Sequence, residues 1–61
     1  MAAAATDIRN IIDRLVEERQ RLRSEAGSTS ALDANRRALA YWQFELSRAL
    51  AREAVSAAAT A

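Results

Sequence analysis

Cysteine, histidine, proline and lysine are absent from this chain of 61 residues, and glycine, tryptophan, tyrosine and phenylalanine occur once each. Without cysteine or histidine there is no disulfide framework, no thiolate or imidazole metal site and no thiol nucleophile. The usual general base is missing as well, and the serines cluster in one connector or fall on helix surfaces, so the groups that carry nucleophilic and acid–base catalysis are not assembled. The chain therefore reads as non-enzymatic and in need of no cofactor or metal. No apolar run approaches the roughly 18 residues of a membrane span. The opening Met-Ala-Ala-Ala-Ala lacks the basic segment and long apolar stretch of a secretory signal. These features predict a cytoplasmic protein without a membrane partner.

Charge of one sign is also lacking. Nine arginines and eight carboxylates give a formal charge of +1, which is no electrostatic footprint for a nucleic-acid binder. Nor is there a basic stripe with interleaved stacking aromatics, so nucleic acid is not an expected partner. What charge pattern exists is local. Arg19, Arg21, Arg23, Arg36 and Arg37 gather toward the middle of the sequence, a candidate anion-binding cluster for a phosphate, a nucleotide or an acidic protein surface. Glu17, Glu18, Glu25 and Asp33 lie in the same region and largely neutralise it. Glu17 and Glu18 point about 100° apart on a helix and do not converge as a catalytic pair, whereas Glu17 to Arg21 has the spacing of a favourable ion pair.

With no proline and a single glycine, the chain has one obvious break, at Gly27. The pattern predicts an all-α protein, a single hairpin domain over 1–61: helix 7–26, connector 27–30, helix 31–56, and alanine-rich tails. Thr6 is placed to cap the first helix and Asp7 to complement its exposed amides. Gly27 suits a left-handed helix end, and Ser30 with Asp33 resembles a capping box for the second helix. A connector of about four residues implies that the helices run antiparallel.

At about 100° per residue, Ile8, Ile11, Ile12, Leu15, Val16, Leu22 and Ala26 fall on one side of the first helix. Arg19 interrupts that stripe, its stem expected to pack on apolar neighbours with the head in water. The second helix carries two apolar faces. Leu32, Leu39, Trp42, Leu46, Ala49 and Leu50 form one, with Asn35 and Glu53 at its margin. Ala40, Phe44, Ala51 and Val55 form the other, well over 90° away, with Tyr41 beside Phe44. The predicted intra-hairpin core is Ile8, Ile11, Ile12, Leu15, Leu22, Leu32, Leu39, Trp42, Leu46 and Leu50. Folding about Ser28 and Thr29 pairs positions whose numbers sum to about 57. Leu15 then meets Trp42, Ile8 approaches Leu50, Leu22 meets Asn35, and Arg19 comes within cation–π reach of Trp42.

Ile8-x-x-Ile11, followed by Leu15-Val16-Glu17-Glu18 and Leu22-Arg23, resembles the opening of a family of short actinobacterial proteins of unknown function. In that family an I-x-x-I-x-x-L-V-x-E-E-x-x-L-R run precedes a second helix with a tryptophan and several arginines, which Trp42, Arg48 and Arg52 would match. The step from Ile11 to Leu15 is one residue longer here. The resemblance spans Ile8 to Glu53 and implies a small helical cytoplasmic protein, with no activity or functional residues to carry over.

Two helices touch along one line and cannot cover two stripes and a further face, and a chain this short builds only a marginal core. The leading expectation is a homodimer in which two hairpins form a four-helix bundle. Its association face is Ala40, Tyr41, Phe44, Ala51 and Val55. The alternatives are a regulatory adaptor, anti-sigma-like in style, that offers this face to another protein's helix, and a small-anion or nucleotide sensor using the arginine-rich end.

Overall fold

The computed structural model describes residues 3–25 and 28–60 of the chain. It consists of two helices packed against each other, α1 (Ala5–Ser24) and α2 (Thr29–Thr60), in a rod of 50 × 16 × 15 Å. Two contacts set the antiparallel direction. The backbone N–H of Ala5 donates to Glu53 Oε2 at 3.0 Å near one end, and Asn35 Nδ2 donates to the Leu15 carbonyl at 2.9 Å further along.

Each helix begins two residues earlier than its capping residues predict. Thr6 lies inside α1, whose cap position is Ala4, with an extended backbone and no side-chain hydrogen bond. The carboxylate of Glu53 takes over that task from α2, accepting an N–H of the first turn and placing negative charge at the positive end of the α1 dipole. At the other end Arg21 and Arg23 sit in the last turn, where cations are favoured, and the Glu25 N–H closes onto the Arg21 carbonyl at 2.9 Å. Ala26 and Gly27 lie outside the described residues, and with them the expected left-handed helix end.

Ser28 starts α2: its Oγ accepts the Ala31 N–H at 3.0 Å and its carbonyl accepts the Leu32 N–H at 3.1 Å. Ser30 and Asp33 are therefore interior, and the expected capping box does not form. Asp33 instead takes Arg37 at 2.8 Å and Arg36 at 3.3 Å. Alanine, leucine and arginine carry α2 without a breaker through Ser56 to Thr60. Because α1 starts level with Glu53, the last turns of α2 project past it, and residues 54–59 are exposed.

The tightest packing lies at the open end of the hairpin. Ala5, Ile8 and Ala49 form the buried cluster, with Ile12, Trp42 and Leu46 packed against it. Ala5, expected to be part of a tail, belongs to this core. Ala49 is the buried neighbour of Ile8, and Leu50 is 41% exposed. The reason is steric: the small side chain occupies the line of closest helix approach, and the adjacent leucine, about 100° away, turns to the rim. Leu39 is buried as predicted, while Ile11, Ile12, Leu15, Leu22, Leu32, Trp42 and Leu46 are half-buried, and Val16 is exposed.

Asn35 is only 4% exposed and reaches Leu15, not Leu22. Its Oδ1 is buried without a hydrogen-bond partner. A polar side chain tied to one backbone carbonyl in an apolar seam costs stability, yet it penalises sliding of one helix past the other.

Candidate association surface

Among the described residues the charged side chains make no convergent site. Arg19, Arg23 and Arg36 line an open cleft with Thr29, Leu32 and Asp33, of about 230 Å³. Arg21 and Arg37 do not line it, so the five-arginine cluster is divided. Asp33 stands in the cleft wall and pairs with both Arg36 and Arg37, leaving a surface of mixed charge. The i,i+4 ion pair of Glu17 with Arg21 is not formed: the ion pairs among the described residues all lie within α2. Exposed pairs gain little over separate solvation. Among the described residues no group of three or more carboxylates could hold a metal, and no helix is long and apolar enough to cross a membrane.

The apolar surface is concentrated elsewhere. Tyr41, Phe44 and Val55 are 57%, 63% and 70% exposed, and Ala40 and Ala51 beside them are exposed as well. On the α2 wheel their mean direction is about 170° from that of Leu39, Trp42, Leu46 and Ala49. They therefore form a face turned away from α1. Exposure of single apolar residues is ordinary. Here the large residues recur on one stripe.

Polar contacts shape this face. The Arg48 guanidinium lies 6.0 Å from the centroid of the Phe44 ring and 3.8 Å from Glu45 Oε1, so its stem crosses the stripe and its head is drawn to the flank. Among the described residues the cation–π contact is this one, and the predicted pairing of Arg19 with Trp42 is not made, since Arg19 turns into the cleft. Tyr41 packs edge-on against Trp42, ring centroids 5.1 Å apart and planes at 85°. That contact links the outward face to the side of α2 that packs on α1.

Fold and surface together define a helical hairpin with a second apolar face on its longer helix. No protein-family model, curated protein or solved structure matches the chain, and nothing in these comparisons bears on the resemblance of the Leu15-Val16-Glu17-Glu18 segment.

Proposed function

We propose that this chain is a non-enzymatic interaction protein that pairs with a second copy of itself through the outward face of α2, giving a four-helix assembly. The observation that carries this reading is the exposure of Tyr41, Phe44 and Val55 on one stripe opposite α1. Exposed apolar residues gathered on one face suit association better than the same residues scattered singly. The small size of the hairpin core, four buried apolar residues among the described ones, two of them alanines, supports the same reading. A chain with so little apolar burial gains a large share of its stability from whatever covers the rest.

Folding coupled to association makes thermal unfolding depend on protein concentration. Circular-dichroism melting at protein concentrations about a hundredfold apart should show the midpoint rising by several degrees. A concentration-independent midpoint with full helicity contradicts self-association. A poorly helical chain at every concentration points to a different protein as the partner of this face.

A further inference from the structure

The outward face has a finer order than its composition. Tyr41, Phe44, Arg48, Ala51, Val55 and Ala58 follow one another at alternating steps of three and four, the spacing of a coiled-coil seam. Large side chains occupy the first half, alanine and valine the second. Every one of these residues is exposed. Ala58 and Val55 lie in the part of α2 that projects beyond α1.

Resting on the self-association proposed above, we infer that the two α2 helices pair antiparallel about a two-fold axis between positions 49 and 50. Opposed positions then have numbers that sum to about 99. Tyr41 meets Ala58 of the second copy, Phe44 meets Val55, and Arg48 meets Ala51, so each large residue is set against a small one. The two helices overlap over about 33 Å. The projecting end of each α2 lies along the body of the other, which covers the segment that α1 is too short to reach.

Two charge arguments select this arrangement over a parallel one. In a parallel pair each Arg48 faces its own copy at the same level, a repulsion between guanidiniums inside the seam. The antiparallel pair sets Arg48 against Ala51, whose size leaves room for the stem to leave the seam toward Glu45. Antiparallel pairing also brings like flanks together, and the flank here carries Glu45 and Arg52, seven residues apart. Across the axis Glu45 of one copy approaches Arg52 of the other, twice by symmetry. Within one chain these two groups stand about 10 Å apart along the helix, and Arg52 makes no ion pair among the described residues. Since the outward face is opposite α1, the assembly is a row with the two α2 helices central and α1 on either outside, not a bundle about a common core.

The test combines charge reversal with cross-linking, each read on the full chain by sedimentation equilibrium. Glu45→Arg and Arg52→Glu should each weaken the dimer about tenfold, and the double variant should recover to within a few-fold of the wild type. The chain has no cysteine of its own, so introduced thiols report directly. Tyr41→Cys and Ala58→Cys chains should each resist oxidation to a covalent dimer alone, because like positions are about 25 Å apart, and should cross-link when mixed. A dimeric wild type whose double variant is no tighter than either single variant, or whose Ala58→Cys chains cross-link to themselves, overturns the antiparallel register and leaves self-association standing. A monomeric wild type overturns both.

Discussion

Ile8 of α1 and Leu50 of α2 show how two large aliphatic residues expected to meet in the core can have different fates. Both lie on the predicted core, yet Ile8 is 1% exposed and Leu50 is 41% exposed. Truncating Ile8 to alanine opens a cavity where the helices are closest and should cost about 2–5 kcal/mol, a large fraction of the stability of a domain this small. Leu50→Ala should cost about 1 kcal/mol, since much of that side chain is already wet. Urea unfolding of the two variants followed by helicity decides it, and equal losses would place Leu50 in the core after all. The sequence could not separate Leu50 from Ala49. Both lie within the arc that helical periodicity marks as apolar, and only the depth of helix approach determines which is buried. Asn35 was legible as a marginal polar residue, but its reach to Leu15 depends on the register of the two helices and not on any local pattern.

At the scale of the helix, the single glycine and the absence of proline sufficed to place one break and two antiparallel helices. The ends were less legible. Thr6 and Ser30 are good capping residues by type, but Ala4 and Ser28 hold those positions. For α1 the reason is tertiary: Glu53, 48 residues away, supplies the acceptor that a local cap would otherwise provide. For α2 two serines compete within three residues, and the earlier one captures the Ala31 N–H. Ser28→Ala should therefore lower stability by about 1 kcal/mol, and Ser30→Ala should leave it nearly unchanged. Chemical denaturation of the pair checks this, and the reverse order would return the helix start to the later serine.

For the whole molecule, the outward exposure of the second apolar face of α2 was legible in its helical spacing. Phe44, Ala51 and Val55 repeat at helical spacing on a side of α2 turned away from α1, and the structure leaves them exposed. The arginine-rich cluster was legible only as a list of residues. Its division between a cleft holding Arg19, Arg23 and Arg36 and the pairs made by Asp33 follows from which helix face each guanidinium leaves. The length of α2 was underestimated because alanine-rich ends read as tails when no neighbour is known to need them. In the proposed assembly the second copy supplies that neighbour. The central claim is that the outward face of α2 is an association surface. Sedimentation equilibrium of the intact chain beside its Phe44→Glu variant, at micromolar concentration, tests it most directly. The account predicts twice the chain mass for the wild type and a single chain mass for the variant, whereas a dimer that survives the substitution would contradict it.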